Sequence, residues 1–266
     1  MKSADPLADI MGLTKDLAGI DLHDGKRSMV EGRLARRMSN LGTDLAGYAQ
    51  RCAGDPAEQA VMIDLLTTNH TAWRREPTHF TDLEVRVLPA VARAQTQAIR
   101  PRLRIWCAAA ATGEEPYTIA LSLLRALPQI DSWDAMILCT DISGRALAKA
   151  RAGIYSPERI AALDPGDKAL AVEAAADGAY RVRSRLRLLV DFARLNLMES
   201  WPMRGPFDAI FCRNVMIYFD RKTQEVLVNR LAGLLAKGGT LYVGHSESLN
   251  AISHPLRSIA PATYVA

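Results

Sequence analysis

Arg104-Ile105-Trp106-Cys107-Ala108-Ala109-Ala110-Ala111-Thr112-Gly113-Glu114-Glu115-Pro116-Tyr117 is the stretch on which the fold turns. It reads as a buried strand, a turn of very small residues, and a helix opened by two carboxylates and a proline. Proline suits a first helical turn because the N–H it lacks has no partner there. Small side chains let a ligand approach the backbone, as glycines do in dinucleotide-binding loops. This loop has one glycine rather than three, and it places Glu114 and Glu115 where a pyrophosphate would sit. Negative charge at that point repels phosphate and suits a cationic or hydroxyl-bearing ligand. A plainer reading is a helix start with the acidic residues that its dipole favours, and the loop alone does not decide between the two.

Some 25 residues on, Met136-Ile137-Leu138-Cys139-Thr140-Asp141-Ile142-Ser143 is an apolar strand ending in a carboxylate. An acidic side chain at the tip of the second strand of a doubly wound sheet grips ribose hydroxyls. Asp141 also reads as a cap, with Ser143, for a helix over Gly144–Arg151. Loop and tip together favour a nucleoside without phosphates that carries a positive centre, and S-adenosylmethionine has that chemistry. Outward from here apolar strands alternate with helices, the pattern of an α/β parallel sheet. Strands are expected at Leu103–Ala108, Ala135–Thr140, Leu188–Arg194, Phe207–Cys212 and Thr240–Gly244, with a closing strand near Ala262–Val265. Helices are expected at Glu115–Leu127, Gly144–Arg151 and Arg221–Ala236, the last capped by Gly238-Gly239.

The chain before the sheet, residues 1–90, reads as an all-helical domain, with residues 91–266 forming the sheet domain. Lys26–Leu41 carries Met29, Val30, Leu34, Met38 and Leu41 at helical spacing, and Arg33, Arg36 and Arg37 form a basic stripe on the same helix. Further helices are expected over Leu45–Arg51, from Pro56 to Leu66, and over Thr81–Gln97. Between the second and third strands, residues 153–187 exceed what a crossover needs and are expected to form a small subdomain. Within it, Tyr180–Arg187 alternates strictly, which predicts a strand with Arg181, Arg183, Arg185 and Arg187 on one face. That face reads equally as a solvated edge or as a contact for a partner.

Composition narrows the class. The 266 residues are 49% hydrophobic and 23% charged, with a net charge of +4 that by itself implies no nucleic acid. Cys52, Cys107, Cys139 and Cys212 are scattered without paired spacing, so neither a metal site nor a disulfide framework is expected. Met1–Ile10 has two aspartates and no apolar core, which argues against a signal peptide. No run approaches the roughly 20 apolar residues that span a bilayer. A cytoplasmic protein without direct membrane insertion is expected.

Two further motifs bear on chemistry. Thr67-Thr68-Asn69-His70-Thr71-Ala72-Trp73-Arg74-Arg75-Glu76 lies between helices ahead of the sheet, and its Asn69 and Thr71 also read as plain helix caps. His70 and His79 read as solvated or packed. Phe207-Asp208-Ala209-Ile210-Phe211-Cys212-Arg213-Asn214-Val215-Met216-Ile217-Tyr218-Phe219 delivers Arg213, Asn214 and Tyr218 past a strand's C-terminal end, where open α/β sheets bind ligands. TTN-x-T-x-x-x-RE, AAA-x-TGEEPY, TDI, Asn196-Leu197 and RNVMIYF, in this order, strongly resemble the CheR family of chemotaxis-receptor, protein-glutamate O-methyltransferases. The resemblance runs from about Lys26 to the C-terminus.

It implies a Rossmann-like, S-adenosylmethionine-dependent methyltransferase domain with a small β-subdomain insertion, preceded by an all-helical N-terminal domain. It further implies that Asn69, Thr71 and Arg75 reach over the cofactor, and that Glu115 and Asp141 line its pocket, Asp141 on the ribose. Asn196 and Leu197 would flank the adenine, and Arg213 with Asn214 would close the site. Arg75 and Tyr218 are placed near the transferred methyl and the substrate carboxylate. The partner implied is the cytoplasmic coiled-coil part of chemoreceptors, met by the basic helix of Arg33, Arg36 and Arg37 and by the β-subdomain with Arg183 and Arg185. The expected product is S-adenosylhomocysteine, the expected state a monomer, and the expected location the cytoplasm at receptor arrays on the inner membrane.

The expected chemistry needs no general base, because a glutamate side chain with pKa near 4.3 is already ionised at neutral pH. Two departures from the family stand out. Trp73-Arg74 occupies the place where many members have two phenylalanines; Trp73 can supply an aromatic wall and Arg74 cannot. The turn Ala174–Ala179 is short, which argues against a tether for a receptor's C-terminal pentapeptide. A methyltransferase acting on another carboxylate and a binding module that senses S-adenosylmethionine are the competing readings.

Overall fold

The computed structural model describes residues 5–266; Met1–Ala4, part of the expected helical domain and of the stretch weighed as a leader, lie outside the described residues. Four helices open the chain: α1 Pro6–Ala18, α2 Arg27–Leu41, α3 Leu45–Gly54 and α4 Pro56–Leu66. Their starts follow local chemistry, since Asp5, Asp44 and Asp55 each cap a helix with a side-chain oxygen. Next come α5 Thr78–Asp82 and α6 Leu88–Ala94, joined through a π-type turn at Leu83–Val87 just ahead of Pro89, which has no N–H to give the helix.

A seven-stranded sheet follows. Its strands are β1 Arg102–Cys107, β2 Asp134–Asp141, β6 Val190–Arg194, β7 Phe207–Cys212, β8 Leu235–Val243, β9 Arg257–Ala260 and β10 Thr263–Val265, in the order β6-β2-β1-β7-β8-β10-β9. The first five run parallel, and β10 pairs antiparallel with both β8 and β9. Helices α7 Glu114–Ala126, α8 Gly144–Ala152 and α12 Arg221–Ala232 make the crossovers. Both sheet faces are covered, which is why these strands read as apolar runs. On one face Ile105, Ile137 and Phe211 pack with Ile119 of α7 and with Phe80, Leu83 and Leu88. On the other, Trp106, Ile210 and Leu241 pack with α12 and with Leu7, Ile10, Leu34 and Met62 of the N-terminal helices. The last helices before the sheet thus share the core of the sheet itself.

Residues 153–187 form a small unit. It contains β3 Ile154–Tyr155, α9 Pro157–Ile160, α10 Pro165–Ala171, β4 Val172–Ala174, β5 Tyr180–Val182 and α11 Ser184–Arg187. The strands make an antiparallel sheet in the order β3-β5-β4.

Three expectations are corrected. The basic strand over Tyr180–Arg187 ends at Val182, and a helical turn follows. Val182, Leu186 and Leu189 are buried while Leu188 is 85% exposed, so apolar spacing of four and three prevails over the alternation. Arg183 and Arg185 therefore share no strand face with Arg181. The helix expected to reach Ala236 stops at Ala232, and Gly238-Gly239 lies within β8 rather than at a helix cap. The pairing of β7 with β8 shifts register there, and a Cβ on Gly239 would meet the carbonyl oxygens of Ala236 at 2.8 Å and Phe207 at 3.0 Å. Finally, β9 is a strand that the apolar pattern did not reveal; it is a largely exposed edge.

Candidate active site

The strand order reverses between β1 and β7, and the crevice past the C-terminal ends of such strands is where ligands bind. A cavity of about 580 Å³ opens there. Its floor is the loop after β1, its sides are the ends of β2, β6 and β7, and its roof comes from the helical part of the chain. Asn69, Thr71, Arg75, Glu115, Asp141, Asn196, Leu197, Arg213, Asn214 and Tyr218 all line it. The structure thus gathers residues from five separate stretches of sequence around one space.

The loop after β1 is tightly built. Ala111 sits at φ 45° and Gly113 at φ 101°; a Cβ on Gly113 would lie 2.6 Å from the Tyr155 hydroxyl. Asp141 accepts the Ala111 N–H at 2.8 Å and the Ser143 N–H at 2.9 Å. Ser143, not Asp141, caps α8 with its side chain. Burial pushes the Asp141 carboxyl up while those two N–H groups hold it down. The paired glutamates part company: Glu115 faces the cavity, whereas Glu114 turns to Arg159 of the inserted unit and to the Thr112 hydroxyl.

Arg213 lies at the centre of the site's electrostatics. Its Nη1 donates to Glu115 at 2.6 Å and its Nη2 to Glu76 at 3.0 Å, and it also bonds the Arg75 carbonyl. Burial works against its charge, but the two carboxylates raise its pKa above the ordinary guanidinium value. The other oxygen of Glu76 accepts Asn214 Nδ2 at 3.2 Å. Arg75 extends along the wall and donates to the His70 carbonyl at 3.0 Å, and Asn69 donates to Ser143 at 3.3 Å. Asn196 donates to the Leu17 carbonyl of α1 at 2.6 Å, tying this part of the cavity wall to the helical part.

The Trp73-Arg74 departure has a structural answer. Trp73 is buried against Tyr117 and Tyr155 as an aromatic wall. Arg74 leaves that wall and pairs with buried Asp167 of α10 at 3.0 Å, fastening the segment to the inserted unit. His79 is buried against Tyr242 and His245, its pKa lowered to about 4 by burial and by Arg213. His70 is exposed. Glu76, His79 and His245 bring three potential metal-ligand atoms within 4.8 Å of one another. The Glu76 oxygens there are already committed to Arg213 and Asn214.

Charged residues expected to face a partner divide. Arg33 donates to the carbonyls of Leu66 and Thr67 and to the Thr68 hydroxyl. Arg37 pairs with Glu58, which is 2% exposed, at 2.6 Å. Only Arg36 of that trio is exposed. Arg183 and Arg185 are exposed and pair with Glu173 and Asp131. Residues not singled out from sequence complete the site: Glu76, Glu247, and the segment between α1 and α2, of which Asp21, His23 and Lys26 line the cavity. The Asp21 N–H donates to the Tyr218 carbonyl at 2.7 Å, and Lys15 bridges Asp21 and Asp220. Glu76 stands inside a quoted motif, but nothing local announces a loop 50 residues upstream.

The cavity suits S-adenosylmethionine. Asp141 offers a carboxylate for ribose hydroxyls, Glu115 adds negative charge, the alanines allow close approach, and Leu197 and Ile142 give an apolar wall. Among the described residues, no helix is long and apolar enough to cross a membrane. Residues 69–265 match the family described as CheR methyltransferase, SAM binding domain, and residues 6–67 match CheR methyltransferase, all-alpha domain. A probable chemotaxis protein methyltransferase of Rhizobium etli is 41% identical, over 93% of this chain and 94% of its own. Chemotaxis protein methyltransferase 2 of Pseudomonas aeruginosa is 42% identical over 93% and 88%. The chemotaxis protein methyltransferase of Escherichia coli is 42% identical over 88% and 80%. With a cavity built for the cofactor and both family domains present in order, the chain belongs to the CheR family of S-adenosylmethionine-dependent methyltransferases.

Proposed function

We propose that the protein transfers the methyl group of S-adenosylmethionine to glutamate side chains of chemoreceptors, forming methyl esters. One observation carries this reading: Arg75 and Tyr218, two hydrogen-bond donors fit for a carboxylate, open onto the same cavity as the Asp141 and Glu115 carboxylates. S-adenosylmethionine, when bound, supplies a methyl group on a positively charged sulfur that an ionised carboxylate attacks in line. The acceptor arrives deprotonated, so this chain has no proton to remove. Its task is to hold one carboxylate oxygen about 3–3.5 Å from the methyl carbon. Arg75 and Tyr218 orient the acceptor. Asn69, Thr71, Glu115, Asp141, Asn196, Leu197, Arg213 and Asn214 hold the cofactor, Arg213 chiefly by fixing Glu115.

The acceptor glutamates lie on the cytoplasmic coiled coil of a receptor, approached by a monomeric cytoplasmic enzyme that is recruited to receptor arrays at the inner membrane. Arg36 with Arg183 and Arg185 supplies the exposed positive charge for that contact. Arg33 and Arg37 support it by fixing α2. The short Ala175–Ala179 turn between β4 and β5 makes a pentapeptide tether a minor contribution.

Methyl-labelled cofactor incubated with receptor-containing membranes tests the reading. Label should enter receptor and leave as methanol in mild alkali, as esters do and methylated amines do not. Arg75→Ala and Tyr218→Phe should each lower turnover about 10-fold or more, with a smaller effect on cofactor affinity, because orientation acts chiefly in the transition state. Alkali-stable label would exclude glutamate esters, and wild-type turnover in either variant would remove that residue from the acceptor site.

A further inference from the structure

Glu247 lies in the turn after β8 and is 6% exposed, yet it is no part of the cavity wall. Its carboxylate faces backbone alone. Oε2 accepts the Asn214 N–H at 2.7 Å and the Gly244 N–H at 2.6 Å, and Oε1 accepts the Ile217 N–H at 3.2 Å. Two of these donors belong to the 214–218 stretch that ends in Tyr218. Asn214 sits at φ 58°, a left-handed conformation that needs holding. Ile217 lies in the single 3₁₀ turn Met216–Tyr218, too short to persist without outside support. The two turns are pressed together, since a Cβ on Gly244 would lie 2.4 Å from Asn214 Nδ2 and 2.8 Å from Glu247 Oε2. A buried carboxylate is costly unless its hydrogen bonds are met, and every contact seen for this one goes to the backbone of these two turns.

We propose that Glu247 is a positioning residue: it pins the Asn214–Tyr218 turn from behind and so sets where the Tyr218 phenol meets the acceptor. This rests on the reading that Tyr218 contacts the acceptor carboxylate. A second fixed point is the Asp21 N–H, which holds the Tyr218 carbonyl at 2.7 Å. Neither point touches the phenol, which leaves the side chain free to bond substrate while its backbone stays placed.

Glu247→Gln keeps the shape but offers a single acceptor oxygen and turns an amide against a backbone N–H. A double-mutant cycle with Tyr218→Phe separates positioning from general support, because residues acting through one another are not additive. Glu247→Gln should lower kcat about tenfold in the parent and less than about threefold in Tyr218→Phe. Hydrogen exchange of the Asn214 and Ile217 amides should quicken while the β7 amides keep their rates. Equal kcat penalties in both backgrounds, or unchanged exchange at 214 and 217, would overturn the proposal. If the parent methylates no receptor glutamate, the functional reading falls and the exchange result alone decides whether Glu247 pins the turn. Should Glu247→Gln not fold, Glu247→Asp, which keeps the charge but draws it back by one methylene, is read in the same cycle.

Discussion

Arg213 is tolerated in the interior because two carboxylates meet it. It is 3% exposed, and its Nε finds no partner, so its stability rests on Glu115 and Glu76. Breaking one side of such a set leaves uncompensated buried charge, which typically costs about 3–5 kcal/mol. Arg213→Met should destabilise the fold by about that amount near neutral pH. The pH dependence has a definite sign. Burial already pushes the Glu115 carboxyl up, and burial acts on Glu76 in the same direction, with Arg213 opposing it. Without Arg213 the Glu115 carboxyl moves further above the unfolded value of about 4.3, and that of Glu76, which Arg213 and Asn214 hold below it in the parent, moves up. Between the unfolded and folded values the native state then binds more protons than the unfolded chain, so stability falls as pH rises through that window and returns as pH falls. Urea midpoints at about pH 7.5 and about pH 5.5 check this by linear extrapolation. The gap between variant and parent should narrow at the lower pH; a gap that widens would show that the carboxylates are not what Arg213 neutralises.

Helix α2 shows how neighbours on one face take opposite roles. Arg37 binds both oxygens of Glu58, to which the buried Tyr48 hydroxyl also donates at 3.0 Å, so α2, α3 and α4 meet at one carboxylate. Arg36, one residue away, is exposed with nothing comparable. Arg37→Ala should therefore lower Tm by about 2–4 °C, a shift expected for loss of one such interaction in a domain this size. Arg36→Ala should leave Tm within about 1 °C and raise the Michaelis constant for receptor instead. Scanning calorimetry beside receptor kinetics separates the two, and equal Tm losses would mean that both arginines are internal ties. Composition and spacing alone placed Arg33, Arg36 and Arg37 on one stripe; which of them meets a buried glutamate depends on how α4 packs, 20 residues on. The same limit explains what else was and was not legible. The loop after β1, the Asp141 tip and the strand leading to Arg213 were legible because each is a local strand-to-turn pattern. Tyr180–Arg187 alternates in sequence, yet burial of Val182, Leu186 and Leu189 bends it into a helical turn. Gly238-Gly239 suits a helix cap and a strand irregularity equally, and only the pairing of β8 with β7, which shifts register here, decides. Glu247 and the Asp21–Lys26 roof join the site through contacts that span the chain.

At the scale of the whole molecule, the cavity lies where the helical part meets the sheet, and its walls, with the residues proposed to meet the acceptor, depend on that junction. Asn196 is tied to Leu17, the Tyr218 turn to Asp21, and Arg145 of α8 to the Asp64 carbonyl. The cavity charges of Glu115, Asp141 and Arg213 are buried, whereas those proposed to meet the receptor are exposed. Arg183 and Arg185 pair with Glu173 and Asp131 at the surface, and exposed pairs of this kind are weak. They can exchange partners for the carboxylates of an acidic receptor helix at little cost. Salt discriminates between the two sets of charge, because exposed charges are screened beyond about 10 Å at 0.1 M ionic strength and buried ones far less. Raising salt from about 50 mM to about 300 mM should increase the Michaelis constant for receptor several-fold. The dissociation constant for S-adenosylmethionine, set inside the cavity, should change less than about twofold over the same range. Reversing Arg36, Arg183 and Arg185 to Glu should flatten the salt response of receptor methylation while leaving cofactor affinity intact. Parallel salt slopes for cofactor and receptor, or a triple reversal that keeps the parent's slope, would place the receptor contact on another surface of the molecule.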